Sequence, residues 1–118
     1  MNKPISRQLH GIIDYSIFPL VMAAPELAGF EAEDKAVLLC RLLSKSIAGT
    51  GLVTNAEWGF FKWLPFKAHV AIDIAAGLFT ISAPWLFGFK RNARARNTII
   101  AIGTIGLLSG LLSDTKER

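Results

Sequence analysis

The sequence predicts an all-α fold, a four-transmembrane-helix bundle built from two parallel tandem helical-hairpin repeats. Three observations predict it. Four apolar blocks, at about 9–30, 36–54, 68–89 and 97–113, each approach the roughly 20 residues that cross a bilayer core of about 30 Å. The chain is 52% hydrophobic and 19% charged, with a mean hydropathy of +0.41, well to the apolar side of a soluble domain. Shifting the chain by 59 residues lays His10 on His69, Asp14 on Asp73, Ala24-Pro25 on Ala83-Pro84 and Gly29-Phe30 on Gly88-Phe89. The same shift lays TGLVTN (50–55) on SGLLSD (109–114), so the chain is a tandem repeat of a helical hairpin. A soluble bundle would show polar faces at helical period. Beyond its first residue, the fourth block, NTIIAIGTIGLLSGLLS, offers only small hydroxyls and glycines.

At 118 residues the chain is a single integral membrane domain. Repeat 1 is expected at about 3–56, repeat 2 at about 62–115, and an interfacial aromatic link at about 57–66. Each repeat holds two spans, so both copies enter the membrane from one side and are related by an axis along the membrane normal.

The first block, HGIIDYSIFPLVMAAPELAGF, has Lys3 and Arg7 before it and a cleavage-like Met22-Ala23-Ala24 inside it, as a signal peptide would. Pro25 after that site and the recurrence of the pattern in mid-chain mark a retained helix instead. Pro19, Pro25 and Pro84 are expected to kink or end helices. Gly29 and Gly88 suit helix C-termini that close in a left-handed residue. The second block carries Arg41, Ser44, Lys45, Ala48, Gly51 and Asn55 at spacings of three and four, hence on one face. Its counterpart in the fourth block is Ile100, Gly103, Thr104, Leu107, Gly110 and Asp114, without a cation. Between the repeats, EWGFFKWLPFK interleaves aromatics with lysines, as headgroup-zone segments do. Trp58, Trp63 and Trp85 are the expected interface anchors. In the fourth block Gly103, Gly106 and Gly110 are expected to admit a closely packed helix, internal or from a second subunit. The short links EAEDK and KRNARAR read as loops. Cys40, the single cysteine, excludes a disulfide framework and a cysteine-only metal cage and reads as an apolar filler.

The end of the third block, Ser82-Ala83-Pro84-Trp85 followed by Gly88-Phe89, resembles the SPW-repeat family of small bacterial membrane proteins. Ala83 separates the serine from the proline, and in the first copy Glu26 stands at the tryptophan position. The resemblance covers both units and implies a membrane location and a two-helix unit; it brings no activity with it.

His10 with Asp14, and His69 with Asp73, lie one helical turn apart, at similar depth because both copies start on one side. Thr54-Asn55 and Ser113-Asp114 return to that side. An ionised group near the bilayer centre costs about 3 kcal/mol on insertion scales, so these residues should face the interior and pair. Lys45, about 15 Å deep, has a stem long enough to reach the aspartates, which lie about 6–9 Å deep. His10, Asp14, His69, Asp73, Lys45, Arg41, Asn55 and Asp114 form the expected polar cluster. The first reading is structural: paired polar residues fix bundle register in a protein without catalytic chemistry of its own. The alternative is a proton-coupled or ion-conducting oligomer, because intramembrane carboxylates with histidine are what proton relays are made of. A second alternative is a metal site on His10, Asp14, His69 and Asp73, or a haem held between the two histidines. Two histidines alone are a weak metal signal, so no cofactor is assigned. Ser113, His10 and Asp14 can be written as a triad, but no nucleophile elbow or oxyanion hole accompanies them.

The net charge of +4 concentrates in KRNARAR, which between two spans contacts anionic headgroups rather than nucleic acid. The partners expected are therefore the lipid bilayer and, through Gly106 and Gly110, a second copy of the chain. Lys3, Arg7, Lys62, Lys67, Lys116 and Arg118 flank one surface, and Lys35, Arg41, Lys90, Arg91, Arg94 and Arg96 the other. That tie leaves the positive-inside rule undecided. The expected location is the bacterial inner membrane, with a lean towards cytoplasmic termini.

Overall fold

The computed structural model describes residues 3–115; Lys116 and Arg118 of the charge tally lie outside them. It holds four helices, α1 (Arg7–Ala28), α2 (Asp34–Val53), α3 (Phe66–Leu86) and α4 (Ala93–Leu112), all long and apolar enough to cross a membrane. At 1.5 Å per residue each is about 30 Å long, which matches a hydrocarbon core. The bundle is 45 Å along its longest axis, and the protein is a multi-pass membrane protein.

The helices begin earlier than hydropathy places them, and in α1 and α4 a capping side chain rather than an apolar residue sets the start. Ser6 accepts the Leu9 N–H at 3.1 Å, and Asn92 accepts the Ala95 N–H at 3.2 Å, each satisfying an otherwise orphaned donor. Arg94 and Arg96, read as loop residues, therefore sit in the first turn of α4. The helices of each hairpin turn over alike. Gly29 and Gly88 both have φ +77°, a left-handed conformation cheap only for glycine. The N–H of Phe30 bonds the Pro25 carbonyl, and that of Phe89 the Pro84 carbonyl, both at 2.9 Å. This turns the two phenylalanines back into the bundle, where they are 1% and 2% exposed. The repeated Pro-x-x-x-Gly-Phe is thus a turn whose last residue plugs the hairpin tip. There Phe30 and Phe89 join Val21, Ala24, Ala83 and Ile99 in an apolar core.

Within hairpins, α1 packs on α2, and α3 on α4 still more extensively; between hairpins contact is sparse. The α3–α4 contact is backbone on backbone. A Cβ on Gly77 would lie 2.7 Å from the Leu107 nitrogen, and one on Gly103 2.9 Å from the Gly77 oxygen. Gly110 faces Ile74 as closely, whereas the nearest atom to a Cβ on Gly106 is the Asp73 oxygen at 4.0 Å. The close neighbour of α4 is therefore internal. Between the hairpins, two apolar grooves of about 290 and 300 Å³ open, one beside Leu20 and Ile105, the other beside Leu42 and Phe79.

The other end of the bundle is tied by two short parallel pairings. β1 (Thr54–Asn55) pairs with β2 (Leu64–Pro65), and Ile5 pairs with Ser113. The 59-residue shift carries Ile5 to Leu64 and Thr54 to Ser113, so one pairing is the repeat image of the other. Each fastens the exit of one hairpin to the entry of the other, and the first and last described segments lie on the same side.

Candidate functional site

Just inside those pairings, the four predicted histidines and aspartates meet in one layer. Helical spacing alone puts each histidine beside the aspartate of its own helix, and those distances are 3.3 Å in both repeats. The shorter bonds cross between repeats. His10 Nε2 lies 2.8 Å from Asp73 Oδ2, and His69 Nε2 lies 2.9 Å from Asp14 Oδ2. Nδ1 of each ring meets a hydroxyl of the opposite repeat: Ser113 Oγ at 2.7 Å for His10, Thr54 Oγ1 at 2.8 Å for His69. Ser109 Oγ is a further neighbour of His10 Nδ1 at 3.3 Å. The aspartate, Ser113 and Thr54 crossings obey the 59-residue relation between the copies; the Ser109 contact does not, since the Thr50 hydroxyl donates to carbonyls of its own helix. Both histidines, Thr54 and Ser113 are fully buried, and Asp14 is 9% exposed. The Asp73 side chain, at 19%, is the most open member.

Hydrogen positions follow from the network. Thr54 donates its hydroxyl hydrogen to the Thr50 carbonyl, and Ser113 donates to the Ser109 carbonyl. Each hydroxyl oxygen is left as an acceptor, so each Nδ1 carries a hydrogen and donates. The two Nε2 atoms face carboxylates only, and two more hydrogens are shared between them and Asp14 and Asp73. The layer is then electrically neutral whichever partner holds those hydrogens. Among the described residues no buried side-chain nitrogen or oxygen lacks a partner, as a low-dielectric site requires.

The rings are enclosed by aromatics. Phe66 meets His10 edge-on, with centroids 5.2 Å apart, and Trp58 lies 5.5 Å from His69 and 6.4 Å from His10. Trp58 fits because residue 11 is glycine: a Cβ there would fall 2.2 Å from its Cδ1. Its Nε1–H donates to the Arg7 carbonyl at 2.8 Å, and its own carbonyl accepts from the Tyr15 hydroxyl at 2.9 Å. Trp58 is thus half-buried against the layer. The sequence signal was the asymmetry Gly11 against Val70, which gives repeat 1 alone a space for the indole. Trp63 and Trp85 are exposed, near opposite ends of α3.

The rest of the expected cluster is elsewhere. Asn55 is exposed and Asp114 half-buried beside the layer, because alternate residues of an extended segment face opposite ways; Thr54 and Ser113 take the inward positions. Arg41 pairs with Glu26 and donates to the Met22 carbonyl, so it staples α2 to α1. Lys45 is exposed near the middle of α2, and no ion pair of the described residues joins it to Asp14 or Asp73. The paper triad is corrected in its acid: Asp73, not Asp14, makes the shorter contact with His10. Ser113 is wholly buried with its hydrogen committed, so the arrangement presents no accessible nucleophile. A haem between the histidines has no room, since their ring centroids are 5.0 Å apart and nearly perpendicular.

In comparison with known proteins, the SPW repeat domain family model matches residues 8–113, nearly the whole described chain. No curated protein and no solved structure matches.

Proposed function

The chain belongs to the SPW repeat domain family, and from that premise we propose that it is a small bacterial inner-membrane protein whose duplicated His/Asp layer is a clasp between two hairpins. One observation carries this reading: each histidine is bound by the aspartate and the hydroxyl of the opposite repeat. Sparse contact elsewhere between the hairpins leaves that layer and the two short pairings beside it as their main polar connection. Paired polar groups are a general means of specifying membrane helix packing. A proton path through a single chain is less well supported, since the tip beyond the layer is packed with Val21, Phe30, Phe89 and Ile99.

Both termini are assigned to the cytoplasm. The support is a shift in the cation balance. Arg41 lies seven residues inside α2, deeper in its helix than Arg7, Lys35, Lys67, Arg94 or Arg96 in theirs, so it no longer counts as a flanking charge. The hairpin-tip surface then keeps five flanking cations against six on the terminal side. Reporter fusions at each terminus test the orientation. The clasp is tested by thermal unfolding in detergent of Asp14→Ala with Asp73→Ala. A lowered midpoint with retained helicity is expected, and an unchanged midpoint would overturn it.

A further inference from the structure

We propose that this same layer binds one divalent transition-metal ion, zinc-like in preference, through His10 Nε2, His69 Nε2 and one oxygen each of Asp14 and Asp73. The inference rests on the clasp reading and gives the clasp a chemical identity. The four ligand atoms lie within 4.8 Å of one another. Their nitrogen–oxygen edges are 2.8, 2.9, 3.3 and 3.3 Å. A tetrahedral ion with bonds of about 2.0–2.2 Å has ligand–ligand edges of about 3.3–3.6 Å. Four of the six edges are therefore at, or slightly inside, the size of such a shell, while the His–His and Asp–Asp edges run up to 4.8 Å; the four atoms form a flattened tetrahedron, which side-chain shifts of about an ångström would close around an ion.

Orientation points the same way. Both imidazoles turn Nε2 inward and fasten Nδ1–H to a hydroxyl that is itself anchored on a helix carbonyl. This is the outer-shell arrangement that fixes metal-ligating histidines. Charge agrees too: two carboxylates and two neutral imidazoles carry two negative charges, which one dication cancels in a buried site. Two imidazoles select a borderline metal over calcium or magnesium, which take oxygen shells. Four protein ligands enclosed by Trp58 and Phe66 describe a closed, structural site rather than a catalytic one with an open position. On binding, the ion forms two metal–nitrogen and two metal–oxygen bonds, and the two hydrogens shared along the Nε2–carboxylate edges leave as protons.

The test uses the full chain in detergent, with any affinity tag removed. His10 and His69 are then its only imidazoles. Chelator-stripped protein is titrated with cobalt(II) and then zinc(II). The expected result is close to one ion per chain, a tetrahedral cobalt absorption displaced by zinc, and about two protons released per ion in calorimetry across buffers. His10→Gln with His69→Gln should abolish the cobalt band. If that variant does not fold, the wild-type stoichiometry and spectrum still decide. Absence of a cobalt band in folded wild-type protein, or a band that survives in a folded double variant, overturns the metal site. The clasp itself is judged separately, on stripped protein. If Asp14→Ala with Asp73→Ala lowers the unfolding midpoint there while wild type binds no metal, the clasp stands and the ion falls. If metal binds but the stripped variants unfold like wild type, the clasp reading falls.

Discussion

Removing His10 should cost more than losing one helix-face contact, and the excess should be shared specifically with Asp73. His10→Ala deletes two inter-repeat bonds, 2.8 Å to Asp73 and 2.7 Å to Ser113. Hydrogen bonds within membrane bundles average about 0.6 kcal/mol and reach about 1.7, so the two together amount to about 1–3 kcal/mol. Stripping one partner from a buried ionic pair costs about 3–5 kcal/mol. The site lies between these cases, because Asp73 retains His69 at 3.3 Å and is partly open. We expect about 2–4 kcal/mol for either single variant. The pairwise coupling from the His10→Ala, Asp73→Ala double-mutant cycle should be about 1–2 kcal/mol. The assay is reversible unfolding in mixed micelles, followed by helical circular dichroism. A cycle of His10 against the exposed Glu26 supplies the additive control. A His10–Asp73 coupling within about 0.5 kcal/mol of zero, or one smaller than that of His10 with Asp14, would refute the crossed pairing.

Other perturbations separate the packing contributions. Gly77→Ala drives a methyl against backbone that cannot retreat and should cost at least about 2 kcal/mol in the same unfolding assay. Gly106→Ala, with no atom nearer than 4.0 Å, should be neutral or stabilising by up to about 1 kcal/mol through helix propensity. Gly11→Val should expel the Trp58 indole from the layer, seen as a red shift of tryptophan emission relative to the wild type and to Val70→Gly. Glu26→Gln should change stability by less than about 1 kcal/mol, because its pair with Arg41 is substantially exposed; a larger loss would show that this staple has been undervalued.

Much of this was legible in the sequence for a physical reason. A bilayer demands long apolar helices, and buried ionisable groups must pair, so His10, Asp14, His69 and Asp73 announced themselves by standing in apolar runs. The 59-residue repeat placed Thr54 and Ser113 at equivalent sites, but could not say that they, and not Asn55 and Asp114, face inward. That choice depends on the short parallel pairings to Leu64 and Ile5, which leave no hydropathy signal. Helical spacing likewise favours pairing within one helix, and only the approach of the two hairpins makes His10–Asp73 shorter than His10–Asp14. Trp58 looked like its neighbours Phe60 and Trp63, both exposed; what distinguishes it is the missing side chain at Gly11, 47 positions earlier in the chain. Spacing from Arg41 puts Lys45 on the polar stripe, yet the buried face of α2 runs through Leu39, Cys40, Ser44 and Gly51.

The most direct test of the crossed clasp is a solid-state NMR distance in lipid bilayers between histidine ¹⁵Nε2 and aspartate ¹³Cγ. Asp14→Asn would leave Asp73 as the only labelled carboxylate in the layer. His10 Nε2 should lie within about 4 Å of Asp73 Cγ. A distance at which His10 shows no coupling to Asp73, with only His69 near it, would contradict the exchange between repeats.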